Sequence, residues 1–301
     1  MKKSFTDAMC TQADNHPEWV FVTGDLGYKA LENLQSKMGD RFINAGIAEQ
    51  NMVTVSAALA YEGFIPWVYS ITPFVTLRPY EQIRNDVCLH NLPVKIIGNG
   101  GGYGYGIMGA THHGVEDVGI MRILPNMKVY SPFSDEDVPQ AIAQMAQDKN
   151  PNYLRLTNPA KIKETIAPFQ QWRKVKSGNK AVVVGTGPVV EHIINSAEFS
   201  DLEVWVLSIF PIHELPEELV SSINLVKKLI TVEEHYGECG LRETLSFHLM
   251  NKLESPIKMH AISAKGYPSG KYGNQNFHQK ENNLAGDGLT ASLESFFKQN
   301  H

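Results

Sequence analysis

The chain has 301 residues, 43% of them hydrophobic and 20% charged, with a formal net charge of −5 at pH 7. That length allows two domains with cores of their own, and the acidic balance, with no basic stripe, excludes a nucleic-acid surface. No apolar run reaches membrane-spanning length, and Cys10, Cys88 and Cys239 are scattered without metal-ligand spacing; a soluble protein of the reducing cytoplasm, with no membrane association, is expected.

In chain order, strand patterns at 19–23, 42–44, 65–69, 94–98, 127–130 and 153–156 alternate with helical patterns at 4–15, 47–61, 73–90 and 135–147. The last helix has Ser134 as a candidate N-cap and an acidic first turn, Asp135-Glu136-Asp137. A polar stretch containing Pro159 and Pro168, residues 159–178, reads as an interdomain connection packed along the surface. Strands at 181–184, 204–207, 229–232 and 257–262 then alternate with helices from about 189, after Pro216 and at 241–250, and 265–283 reads as an irregular loop. The pattern predicts an α/β protein of two doubly wound domains, 1–158 and 179–301.

Residues 41–50 are the most informative stretch. A short apolar run (Phe42, Ile43) meets a turn at Gly46 and opens into a helix that is apolar almost all round, with Glu49 in its first turn. Such a helix is expected to be covered on nearly every face, which would shield Glu49 from water. By itself the carboxylate is equally suited to complementing a positive helix N-terminus.

Three further segments follow strands, where α/β sheets line their ligand crevices. Asp25, in Thr23-Gly24-Asp25-Leu26-Gly27, is a candidate ligand contact or an Asx turn. Phe74, in Tyr69-Ser70-Ile71-Thr72-Pro73-Phe74, offers a face on which a flat ring can stack. Arg78, Tyr80 and Arg84 come next at helical spacing and read as a solvated or interface face. Residues 98–114 hold eight glycines in seventeen positions and end in His112-His113. A loop of this kind inside a compact fold is usually functional, and histidines exchange protons near neutral pH. Its glycines match neither a dinucleotide fingerprint nor a phosphate loop.

Taken together these segments resemble the C-terminal half of the transketolase family of thiamine diphosphate enzymes. The resemblance is carried by Gly24-Asp25-Leu26, Asn44-Ala45-Gly46-Ile47-Ala48-Glu49-Gln50, Phe74 with Arg78-Pro79-Tyr80-Glu81-Gln82, and Gly109-Ala110-Thr111-His112-His113-Gly114. Leu124-Pro125-Asn126-Met127, Ser131-Pro132 and Thr231-Val232-Glu233-Glu234-His235 extend it. It implies a pyrimidine-binding domain followed by the family's C-terminal domain. The glutamate matching Glu49 hydrogen-bonds the aminopyrimidine and favours the tautomer that takes the thiazolium proton, an exchange suited to a buried acid of raised pKa. Phe74 matches the ring that stacks on the pyrimidine, and Asp25 and Ile71 match pocket-lining positions. His112 matches a donor-contacting histidine, and Arg155 is compared with a phosphate-binding arginine.

The resemblance also implies what comes from elsewhere. The family's metal-binding Gly-Asp-Gly, followed by an Asn-containing element, has no counterpart here; Gly286-Asp287-Gly288 reads as a helix entry. The diphosphate and its Mg2+ or Ca2+ are then expected on a partner, an N-terminal transketolase subunit, in an α2β2 assembly acting on small sugars or sugar phosphates. No metal is expected on this chain. Two substrate-site positions depart from the ketose-using pattern: Gly100 stands where a histidine is usual, and Met108 where an aspartate contacts a donor hydroxyl. Two other readings stay open, a deoxyxylulose-phosphate-synthase-like or other 2-oxo acid decarboxylating subunit, and a non-catalytic scaffold or regulatory subunit.

Overall fold

The computed structural model of the chain describes residues 1–27, 30–162 and 166–298. Twelve strands are seen among them: β1 (Trp19–Thr23), β2 (Phe42–Asn44), β3 (Ile65–Ile71), β4 (Lys95–Asn99), β5 (Lys128–Tyr130), β6 (Asn152–Leu156), β7 (Trp172–Lys176), β8 (Val182–Thr186), β9 (Glu203–Leu207), β10 (Ile209–Phe210), β11 (Lys228–Tyr236) and β12 (Lys258–Ala264). They form two sheets, β10-β5-β6-β4-β3-β1-β2 and β12-β11-β8-β9-β7. Among these strands only β10 and β7 run antiparallel to their neighbours.

The first sheet is parallel from β5 to β2 because its crossovers are helices. Val20, Val22, Val68 and Ile96 face one apolar layer, while Phe21, Tyr69, Ile97 and Leu154 face the other. Burial on both faces explains why these strands read as continuous apolar runs. Parallelism also brings the carboxyl ends of β1, β2, β3 and β4 to one edge, and the chain leaves that edge at Gly24, Ala45, Thr72 and Gly100. All the candidate segments of the first domain lie there or just beyond it.

Several elements depart from the sequence reading. The expected helix 73–90 is three pieces: Thr72–Thr76, Tyr80–Gln82 and a π-helical turn Ile83–Cys88. Pro79 separates the first two because it has no N–H to donate and constrains the residue before it. The stretch 159–178, whose residues 163–165 lie outside the described residues, contains β7. Arg173 on that strand makes a two-pronged ion pair with Asp137, 2.6 Å at each prong. The Asp137 carboxylate also accepts from the Phe133 and Ser134 N–H groups, so Asp137 and not the Ser134 side chain holds the entry to helix Asp137–Gln147. The stretch 265–283 contains helix Gln275–Glu281, capped by Asn274 accepting from the Phe277 N–H. Lastly, helix Glu49–Tyr61 is not covered all round: Gln50, Asn51, Thr54, Ala58 and Tyr61 form an exposed stripe.

Gly286-Asp287-Gly288 opens helix Gly286–Lys298, with Asp287 in its first turn. No described helix is long and apolar enough to cross a membrane.

Candidate active site

At the end of β2, Asn44 organises the approach to Glu49. Its Oδ1 accepts from the Asp25 and Gly46 N–H groups, and its Nδ2 donates to Asp25 Oδ1. Asp25 is exposed at φ 49°, a left-handed conformation that this short polar side chain tolerates. The loops after β1 and β2 are thereby tied together, and Gly46, at φ 72°, turns the chain into helix Glu49–Tyr61. Asp25 and Asn44 line a cleft of ≈ 200 Å³ with Thr23, Leu26 and Phe42.

Glu49 itself is 6% exposed. Its Oε1 accepts from Arg78 Nη1 at 2.8 Å, and the Arg78 guanidinium carbon lies 3.7 Å from the centre of the Phe74 ring. Phe74 stands one turn after Ile71, the last residue of β3. The His112 ring meets Phe74 edge-on at 5.1 Å and the Tyr105 ring at 5.8 Å. Glu49, Phe74, Arg78, His112 and Tyr105 thus form one continuous cluster.

The glycine-rich segment is shaped by close approaches. Gly100 has φ 82°, and a Cβ there would fall 2.1 Å from the Tyr105 ring. The phenol occupies that space, its oxygen accepting from Asn99 Nδ2 at 2.8 Å. Gly102, at φ 65°, lies against the Glu234 carboxylate of the second domain, whose Oε1 accepts from the Tyr103 N–H at 2.6 Å. Gln275 and Gln279 also donate to Glu234. The acidic motif at the end of β11 therefore pins the loop that carries His112. Its neighbours are structural as well: Glu233 accepts from the Leu241 and Arg242 N–H groups at a helix start, and burial pushes its carboxyl up to about 7.

His113, beside His112, points the other way. It is buried among Tyr103, Tyr267 and His278, bonded to the Tyr267 hydroxyl and the Gly106 carbonyl. Burial lowers it to about 4, so its neutral form is held in place.

Arg155 is a correction to the sequence reading. It is 3% exposed: Nε donates to Asp117 Oδ2 at 2.8 Å, and Nη2 donates to the Gly114 and Glu234 carbonyls at 3.0 and 2.9 Å. Parallel pairing buries the middle of β6, so this arginine joins the two domains and is not presented to a phosphate. Met108, 55% exposed, lies on the loop between Tyr105 and His112 with its side chain toward solvent. Sequence reasoning does not place Arg78, Asn44 or Tyr105 in the site. The Pro79 break is the signal that could have found Arg78, and the glycine at 100 the one for Tyr105.

The family described as "Transketolase, pyrimidine binding domain" matches residues 1–160, and "Transketolase, C-terminal domain" matches residues 170–278. An apulose-4-phosphate transketolase subunit of Actinobacillus succinogenes is 31% identical over 238 residues, 76% of each chain. A 1-deoxy-D-xylulose-5-phosphate synthase of Clostridium perfringens is 29% identical over 252 residues, 80% of this chain. The chain spans only 40% of the length of that synthase. Among solved structures, a split gene transketolase, described as an inactive beta4 tetramer, has a TM-score of 0.82 at 24% identity, covering 99% of this chain and 98% of that one. Transketolase of Campylobacter jejuni has a TM-score of 0.78 at 17% identity, covering 97% of this chain and 46% of that one. The chain belongs to the transketolase family, which depends on thiamine diphosphate, and carries the C-terminal half of that family's architecture.

Proposed function

We propose that this chain is one subunit of a split thiamine diphosphate-dependent transketolase, moving a two-carbon ketol unit from a ketose donor to an aldehyde acceptor. The observation that carries the reading is the meeting of a buried carboxylate and an aromatic face at Glu49 and Phe74. A flat group with in-plane N–H donors, the Arg78 guanidinium, already lies against both. An aminopyrimidine is also flat and presents a hydrogen-bonding edge, so the residues present fit the cofactor.

When bound, thiamine diphosphate supplies a carbon nucleophile and an electron sink for cleaving a bond beside a carbonyl. Glu49 would hydrogen-bond the pyrimidine edge and exchange a proton with it there. Phe74 would offer its face to the ring and Ile71 would supply apolar wall. Asp25, through Asn44, fixes the Gly46 turn and so the direction of Glu49. His112 faces the donor, placed to exchange a proton with a hydroxyl. With Gly100 in place of an imidazole and an apolar Met108, the donor side offers fewer polar contacts, which suits a less hydroxylated or differently configured donor.

A partner supplies the diphosphate and Mg2+ or Ca2+ half, two copies of each chain forming the active assembly. Asp287 belongs to a helix start. Apolar Ile47, Leu77, Ile107 and Met108 are exposed on the very segments that bear Glu49, Arg78 and His112. The exposed stripe of helix Glu49–Tyr61 continues this surface. The Actinobacillus relative is itself named as a subunit, which supports an enzyme built from more than one chain. A two-domain division, with β7 counted in the second domain, and a cytoplasmic location belong to the same proposal.

Likeness to the Clostridium synthase favours one second reading, a decarboxylating carboligase. Reconstitution with a diphosphate-binding subunit, Mg2+ and thiamine diphosphate separates the two. Ketol transfer from ketoses or ketose phosphates without carbon dioxide release is expected. Carbon dioxide release from pyruvate with no ketose turnover would replace the first reading with the second.

A further inference from the structure

Arg78 is bound in the site in the manner of a ligand. Pro79 interrupts the helical path, and the interruption leaves Arg78 47% exposed along its side chain while the guanidinium turns back over Phe74. There it makes two contacts at once, 3.7 Å from the ring centre and 2.8 Å from Glu49 Oε1. A planar, delocalised group held face-on by an aromatic ring and edge-on by a carboxylate uses the recognition chemistry that suits an aminopyrimidine. The two cannot share one face of Phe74 and one carboxylate oxygen.

We propose that Arg78 is a placeholder: in the cofactor-free chain its guanidinium occupies the aminopyrimidine subsite, and entry of the aminopyrimidine swings it out to solvent. This rests on the reading of Glu49 and Phe74 given above. Without the cofactor, Glu49 would otherwise be a buried carboxylate with no cation beside it, and Phe74 an uncovered apolar face. The Arg78 side chain lies next to solvent, so the outward swing needs no rearrangement of the core. Only the open fraction of the chain binds, and the apparent affinity for the cofactor's pyrimidine is lowered accordingly.

The test uses the full chain with thiamine as the aminopyrimidine probe, binding being measured by ligand-observed nuclear magnetic resonance and calorimetry. Arg78→Gln is expected to bind thiamine about tenfold more tightly than wild type, the size of one half-exposed ion pair together with one cation–ring contact. Arg78→Lys, which keeps the charge but loses the flat fork, is expected to gain less. In thermal unfolding of the unliganded chain, Arg78→Gln is expected to lower the midpoint in the wild-type background and to leave it unchanged in a Glu49→Gln background. Weaker or equal thiamine binding by both Arg78 variants, or additive midpoint shifts, overturns the placeholder. Loss of thiamine binding in Glu49→Gln without a gain in Arg78→Gln overturns the placeholder alone and leaves Glu49 as the pyrimidine contact. Equal binding by wild type and Glu49→Gln overturns the underlying reading of the site.

Discussion

Arg78–Glu49 and Arg155–Asp117 are the same chemical pair in two settings. Both have an arginine nitrogen 2.8 Å from a carboxylate oxygen. The Arg78 side chain is 47% exposed and has one carboxylate and one ring as partners; the Arg155 side chain is 4% exposed and also donates to two carbonyls, Gly114 and Glu234. Tyr153 shares the Asp117 oxygen at 2.6 Å, closing the second network from both sides. A pair with water beside it can be exchanged for a ligand. A pair whose arginine also donates to carbonyls of both domains is part of the frame, and removing one member leaves a buried charge.

The largest effect is expected from breaking the closed pair. Arg155→Met should lower the unfolding free energy by about 3–5 kcal/mol in denaturant titration, and a loss below about 1 kcal/mol would place Arg155 outside the frame. At the open pair the effect moves from stability to rate. Glu49→Gln should reduce turnover of the reconstituted enzyme by about 10²–10⁴-fold, while circular dichroism and the denaturant midpoint stay near wild type. Unaltered turnover would remove Glu49 from the chemistry.

Acid tests the frame in a third way. Burial lowers His113 to about 4 and lowers His235 and His278 as well. Because these rings are held neutral in the fold, their contribution is present above the ordinary histidine value and is lost as pH falls from about 6.5 toward 4. Stability measured at pH 5 should therefore fall by about 1–2 kcal/mol relative to pH 8 through His113 alone, and His113→Gln should remove that part of the slope. The smallest effect is expected at Arg78. Arg78→Gln should cost the unliganded chain no more than about 1 kcal/mol, as half-exposed pairs do; a loss as large as that of Arg155→Met would erase the distinction between the two arginines.

Period and punctuation were enough for most of the frame. Apolar runs of strand length alternating with helical periods located β1 through β6, and Gly46 before an Ala-rich helix located Glu49. What they missed depended on partners far away in sequence. Strand β7 looks polar because Arg173, Lys174 and Lys176 make up most of it, and its place is decided by pairing with β9 and by the Arg173–Asp137 contact. The two-residue β10 joins the first sheet from within the second half of the chain, through Tyr130 and Val129. Helix Gln275–Glu281 is short and polar, and gains its footing from Glu234.

For the site, residue type and position in sequence proposed Glu49, Phe74 and His112, because an acid, a ring or an imidazole carries its chemistry with it. They also determined that the chain alternates strand and helix in two halves, since backbone periodicity is local. Only the tertiary structure decided which of two similar arginines is buried, that Tyr105 fills the space above Gly100, and that a guanidinium lies on Phe74. The reason is that burial and hydrogen-bond saturation are sums over neighbours drawn from several elements, and no window along the chain contains them.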